Sequence, residues 1–278
     1  MPKKNYEELE MKDDFMFGKV MENRELCREL LQTLLGITIE AVTYPEKQKP
    51  IAITSEGRSV RLDVYVQDDN ATVYDAEMQQ GTRRDERSRE LPKRSRYYQG
   101  MIDLNLLERG VPYQDLQKCY IIFICTFDPF GKGRHRYTFQ NQCEEDPDLR
   151  LSDQSVKIFF NTKGTADDVS DEVRKLLAYL DTKTISSDLT KRLDQEVEKA
   201  RHNEMWRREY MKTILHDMEV REEGKREGRE EGREETLKVM VQTCRSLGAT
   251  KELLISKVCK EFSYTLEQAQ ECVDKYWE

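Results

Sequence analysis

"RLDVYVQDDNATVYDAEMQQ", residues 61–80, is the stretch on which the fold turns. Val60, Leu62, Val64 and Val66 alternate with Arg61, Asp63 and Tyr65, and a second alternation runs from Thr72 to Gln79. Period-two alternation marks half-buried strands, and the polar "DDNA" between the runs turns the chain, so a β-hairpin or short meander is expected. Strand side chains point to opposite faces in turn, which puts Asp75, Glu77 and Gln79 on one face and Tyr74, Ala76 and Met78 on the other. If the register sets Asp63 beside Glu77, two carboxylates converge. Paired oxygen donors suit a hard divalent cation such as magnesium, whose remaining positions take water and a phosphate oxygen. Such an ion polarises a phosphoryl group and lowers the pKa of the attacking water. Gln79 would face the same water or phosphate, while Gln80 alternates away. On the residues alone, a solvated strand face stays open beside this ligand reading.

Working outward, apolar residues from Phe15 to Leu35 recur at helical spacing and stop at Gly36, predicting one or two helices. Downstream, Tyr97, Met101, Leu104 and Leu107 share a helical stripe that ends before Gly110, so a helix crosses back over the sheet. "KCYIIFIC" reads as a buried central strand, and Val156 to Asn161 supplies another. The expected class is therefore α/β, a mixed β-sheet flanked by helices. From Ser170 onward the pattern is helical, with a long charged stretch from Leu189 to about Met240. Gly224, Gly228 and Gly232 recur in it every four residues. Glycine weakens a helix by about 1 kcal/mol per position, which favours a solvated helical linker. Glycines four apart also share a face that admits a second helix. Beyond it, Gly248 reads as a stop, Thr250 as an N-cap, and Thr265 with Gln268 as a capping box. The expected organisation is a domain over 1–185, a charged helical linker over 186–240 and a small helical region over 241–278.

With 36% charged and 37% hydrophobic residues, and no run near the roughly 18 apolar residues of a span, no membrane segment is expected. The N-terminal residues lack the apolar core of a secretory signal, so a cytoplasmic location is expected. Seven cysteines without a C-x-x-C pair read as reduced thiols. The three histidines lack zinc-ligand spacing, so any metal would be held by oxygen. The net charge of -8 argues against nonspecific polyanion binding by the whole molecule. Locally, "RRDERSRELPKRSR" sets seven cations against three anions directly after the acidic motif. It reads either as a phosphate-facing patch of Arg83, Arg84, Arg87, Lys93 and Arg94 with Tyr98 nearby, or as a solvated face in which Glu86 and Glu90 pair with arginines.

"RLDVYV" followed by "YDAEMQ", with "RSRYYQG" shortly after, resembles the PD-(D/E)XK nuclease superfamily. Within it, the chain is similar to the Rpn family of recombination-promoting nucleases, also described as transposases. The resemblance extends from "DDFMFGKVM" through "RGVPYQDLQKCYIIFI" to the glycine-repeat tail, most of the chain. It implies a restriction-endonuclease-like α/β fold with a helical C-terminal extension. Asp63 and Glu77 would be ligands for Mg2+, with Mn2+ as an alternative, and Asp14 would match an acidic position in the family's N-terminal helix, where its carboxylate would support the metal site. The implied reaction is hydrolysis of DNA phosphodiester bonds by an endonuclease acting in recombination or on mobile DNA.

One departure matters, because the superfamily's usual lysine is here Gln79, a neutral amide that can only hydrogen-bond. Arg96 on the following helix is the expected substitute charge, with Tyr97, Tyr98 or Gln99 positioning the nucleic-acid strand. The alternative function is a catalytically weakened DNA-binding or regulatory protein that keeps the fold. Nothing in the residues separates DNA from RNA. A double-strand cut requires two sites, and the glycine repeat permits a homodimer through the C-terminal helices.

Overall fold

The computed structural model describes residues 4–44, 62–106 and 112–277. The first helical stretch forms two helices, α1 (Asp14–Met21) and α2 (Arg24–Leu35). Asn23 separates them because its side chain accepts the Leu26 N–H as an N-cap, and Gly36, at φ 69°, ends α2 in the left-handed conformation. Next come β1 (Val42–Thr43), β2 (Val64–Asp68), β3 (Val73–Gln79), the short α3 (Glu86–Arg89) and α4 (Leu91–Leu106). They are followed by β4 (Cys119–Cys125), β5 (Arg136–Phe139), β6 (Ser155–Asn161), α5 (Asp171–Thr182) and α6 (Asp188–Arg201). The chain ends with α7 (Glu204–Ser246), α8 (Lys251–Phe262) and α9 (Leu266–Tyr276).

The strands form one six-stranded sheet in the order β1-β2-β3-β4-β6-β5. β3, β4 and β6 run parallel to one another, and β1–β2, β2–β3 and β5–β6 are antiparallel. This is the mixed α/β sheet expected of a restriction-endonuclease-like fold. The β2–β3 hairpin is held at its turn by Asp68, whose carboxylate accepts the N–H groups of Asn70 and Thr72 and the Tyr74 hydroxyl. Val60 and Arg61, expected to open the first strand, and Leu107 and Gly110, expected to end the crossing helix, lie outside the described residues.

The crossing helix is α4, and its buried stripe differs from the expected one. Leu91, Ser95, Met101 and Ile102 are buried, whereas Tyr97 and Leu104 are exposed. Tyr97 and Leu104 share a helix face, but it is the face turned to solvent. The buried stripe packs on Val73, Ile121, Phe123 and Phe159 of the sheet. A second helical layer is built from α1, which contacts β2 and β3, with α2, α5 and α6 packed around it.

The chain divides into two compact units, Met1–Tyr210 and Met211–Glu278. In the first, α6 packs on α1 and α2, so residues that the sequence reading assigned to a linker after 185 serve that unit's core. In the second, Leu237, Val241, Leu254, Val258, Ala269 and Val273 form a separate apolar cluster on the end of α7, α8 and α9. Thr250 caps α8, and Thr265 and Gln268 form the expected capping box on α9. Gly224, Gly228 and Gly232 lie inside the continuous helix α7, and a Cβ on any of them would meet nothing within 4 Å. Ion pairs one turn apart, Lys225–Glu222 and Arg226–Glu223, support the helix there. Among the described residues no helix is long and apolar enough to cross a membrane.

Candidate active site

The β2–β3 register pairs Val64 with Ala76, and continuing it by one residue brings Asp63 level with Glu77. The two are joined directly. The Asp63 N–H donates to Glu77 Oε1 at 2.8 Å, and the Met78 N–H donates to Asp63 Oδ2 at 3.1 Å. Asp63 sits at a bend just before β2, a position that lets its carboxylate reach over the neighbouring strand. Gly18 of α1 closes on it from behind. A Cβ there would stand 3.1 Å from the Asp63 carbonyl oxygen, so a larger residue would push α1 away from the carboxylate's backbone.

Asp75 and Glu77 are 0% and 4% exposed and share a face of β3, as alternation requires. Their register partners on β4 are Ile121 and Phe123. Burial pushes both carboxyls well above the usual range. The negative charge of Asp63 adds to the rise at Asp75, and that of Asp75 adds to the rise at Glu77. The Asp63 N–H and the Arg94 guanidinium oppose it at Glu77. Both oxygens of Asp75 lack a hydrogen-bond partner among the described residues.

No three Asp, Glu, His or Cys side chains among the described residues stand as a ready-made metal-ligating group. The donor chemistry nevertheless fits a hard divalent cation, because Asp63 and Glu77 offer carboxylate oxygen and the buried Asp75 carboxyl stands beside Glu77 on the same face. Burial pushes the thiol of Cys125, the register partner of Gln79, up to about 12.

A cation stands beside the neutral amide of Gln79, and it comes from Arg94. Its Nη1 donates to Gln79 Oε1 at 2.7 Å, and its Nη2 donates to the Tyr98 hydroxyl at 2.9 Å and lies 3.9 Å from Glu77 Oε2. The guanidinium also packs over the Tyr98 and Phe123 rings, each centroid 5.4 Å away. Arg96 is exposed instead. The reason is helical period, since Arg94 and Tyr98 are four apart on the face of α4 turned to the sheet and Arg96 lies about 200° around from Arg94. Tyr97 is exposed and Gln99 half-buried.

Asp14 is exposed and accepts the adjacent Phe15 N–H. The buried acid of this region is its neighbour Asp13, which receives Lys4 Nζ, the Glu10 N–H and, at 2.9 Å, Gln80 Nε2. Gln80 therefore ties the end of β3 to the start of α1. Asp13, Asp75 and the inward turn of Arg94 were absent from the expected site. Period-two spacing pointed to Asp75, and four-residue spacing to the Arg94–Tyr98 pair.

Among the expected phosphate contacts, Arg83, Arg84 and Lys93 are exposed, Arg94 and Tyr98 are half-buried, and the Arg87 side chain lies outside the described residues. Arg83 rests against the loop after β4, where a Cβ on Gly131 would collide with its guanidinium. That loop is organised by Asp128, whose carboxylate accepts the N–H groups of Phe130, Gly131 and Gly133 and the Tyr137 hydroxyl. Against the cost of burial, these bonds hold the Asp128 carboxyl below its ordinary range.

Comparison with protein families matches residues 12–235 to the PD-(D/E)XK nuclease family transposases. Searches of curated proteins and of solved structures each found no match.

Proposed function

Because the chain belongs to the PD-(D/E)XK nuclease family transposases, a nuclease or transposase-related role is its premise, and we propose that it is a metal-dependent DNA endonuclease acting in recombination or on mobile DNA. The observation that carries this reading is the reciprocal bonding of Asp63 and Glu77 at a buried strand end, with the Arg94 guanidinium held against Gln79 beside them. Asp63 and Glu77 would hold Mg2+ or Mn2+. When bound, such an ion supplies Lewis-acid polarisation of the scissile phosphate and activation of water.

The side chains do the rest. The bonds of the Asp63 N–H to Glu77 and of the Met78 N–H to Asp63 fix both carboxylates before substrate arrives, so little reorganisation is needed at the reacting phosphate. Arg94 supplies the positive charge that Gln79 lacks, aimed where the phosphate's negative charge develops. Its bond to Gln79 Oε1 fixes the amide that orients the water or phosphate. Tyr98 anchors the guanidinium from the next turn of α4. Arg83, Arg84 and Lys93, with the neighbouring Arg87, would neutralise backbone phosphates of the bound strand.

The finer setting is also a proposal. Seven free cysteines support a reducing, cytoplasmic location. The need for two sites in a double-strand cut supports a homodimer through the C-terminal helices, where the glycine face of α7 is open.

Plasmid cleavage with Mg2+ or Mn2+ tests the reading. Wild type is expected to cut, and Asp63→Asn and Glu77→Gln to lose at least ~10³-fold of the rate, about 4 kcal/mol, while keeping the native circular dichroism spectrum. A wild-type protein that binds DNA and cuts it with neither metal would establish the alternative, a regulatory DNA-binding protein with the nuclease fold.

A further inference from the structure

Asp75 takes no part in the two-carboxylate reading above, and no ordinary structural duty accounts for it. It is fully buried, and neither oxygen finds a hydrogen-bond partner among the described residues. Its cross-strand partner on β2 is Tyr65, whose hydroxyl is likewise unpartnered there, and its partner on β4 is Ile121. A buried polar group without a bond opposes folding, and a carboxylate does so most strongly of all. An apolar side chain would fill the position at lower cost, as Ile121 does on the next strand. What lies close by is Glu77, two residues along on the same face.

Asp63, Asp75 and Glu77 together present three carboxylates to one guanidinium, that of Arg94, which lies 3.9 Å from Glu77. One monovalent cation cannot balance the three, whereas Arg94 with a divalent ion held at Asp63 and Glu77 would. A strand advances about 3.3 Å per residue, so the Asp75 backbone lies roughly 7 Å from that of Glu77, one step beneath the proposed ligand on the same face. At that range in a protein interior of effective permittivity near 20, its field on a divalent ion is worth well over about tenfold in affinity.

We propose that Asp75 is the positioning residue of the cation site, a buried carboxylate beneath Glu77 that sets the field there and makes the site take a divalent ion. The inference rests on the metal-dependent reading of Asp63 and Glu77 and adds to it a third acid. It acts through Glu77 and touches neither substrate nor water.

The experiment is Mn2+ binding to the full chain, followed by isothermal titration calorimetry and by the Mn2+ electron paramagnetic resonance signal, for wild type, Asp75→Asn, Asp75→Val and Glu77→Gln. Thermal unfolding is recorded with and without the ion. Both Asp75 variants are expected to melt above wild type without metal, since a buried carboxyl without a hydrogen-bond partner among the described residues has gone. They should also bind Mn2+ at least tenfold more weakly and show a correspondingly smaller metal-induced rise in Tm. A structural acid would behave oppositely, so variants that melt below wild type without metal, or that do not fold, overturn the proposal. Unchanged Mn2+ affinity in both Asp75 variants, with binding abolished in Glu77→Gln, removes this inference alone. A wild type that binds no Mn2+ removes the metal-dependent reading and this inference with it.

Discussion

β3 and β4 lie side by side at the centre of the sheet, paired in parallel register from Val73↔Cys119 to Gln79↔Cys125, and they make opposite use of the same environment. β4 is buried throughout and wholly apolar apart from the Tyr120 hydroxyl. β3 is buried almost as fully, yet it sets Asp75, Glu77 and Gln79 against Ile121, Phe123 and Cys125. Helix α4 covers both strands. Burial therefore cannot explain the polar residues of β3, because the strand next to it shows what burial alone selects. The difference separates a strand chosen for packing from one that, on the metal-dependent reading proposed above, keeps costly carboxyls for a ligand.

The largest expected effect separates the two strands at one level of the sheet. Phe123 stacks on Phe159 with centroids 5.5 Å apart and touches the α4 layer. Phe123→Ala should cost about 3–5 kcal/mol by lost burial and the cavity left behind. Glu77→Leu, beside it, should cost less metal-free stability than Phe123→Ala, because the lost bonds to the Asp63 N–H and Arg94 are offset by relief of a buried carboxyl. Urea unfolding without metal measures both. If Glu77→Leu destabilises as much as Phe123→Ala, the contrast between the strands is false and Glu77 is a structural acid.

The next effect is on rate and concerns the helix above the strands. Arg94→Met should keep the stem's packing over Phe123 and Tyr98 while removing the charge, and lower the cleavage rate about 10²-fold, or ~2.7 kcal/mol. Arg96→Met is expected to change it by less than about twofold, since exposed surface substitutions stay near ±0.5 kcal/mol. Single-turnover cleavage of a labelled duplex at saturating metal distinguishes them. Equal losses from the two variants would mean that both arginines act on DNA phosphates, and neither on the reacting centre.

The same contrast shows what could be read in advance. The hairpin, the β4 and β6 strands and the C-terminal caps were legible because each depends on local signals, namely period two, apolar runs and Thr or Gly at helix ends. Asp63 opposite Glu77 needed one further fact, the register, which the turn at Asp68 sets. The α4 face was not legible. Its apolar residues Tyr97 and Leu104 are exposed, and the inward stripe includes Ser95 and the charged Arg94, so hydrophobic periodicity found Met101 and missed the rest of the inward face. Arg96 was expected at the site from its place on the following helix, two positions away from the arginine that reaches it. Asp13 and Asp14 are adjacent acids, and only the fold, through the Gln80 bond, distinguishes the buried one. Sites assembled from a helix and a strand hide in this way, because no single period describes both.

The smallest expected effect is a pH slope, and its sign comes from the strand that carries the acids. Burial, with mutual repulsion, raises the Asp75 and Glu77 carboxyls well above their ordinary range in the folded protein. The folded state therefore holds more protons than the unfolded state as pH rises from the normal carboxylate range towards those raised values. Stability from these groups is full below the unfolded pKa and is lost as pH rises through the folded one, by up to about 1.4 kcal/mol per pH unit for each proton retained. Metal-free wild type should thus weaken as pH rises above the ordinary carboxylate range. Glu77→Gln should show a shallower decline, and saturating Mn2+ should reduce it further, because the ion binds the ionised carboxylates and releases their protons. Urea midpoints at rising pH supply the test. A metal-free protein that instead gains stability as pH rises would mean that the carboxylates of β3 are already compensated within the chain, and β3 would then be, like β4, a strand built for packing.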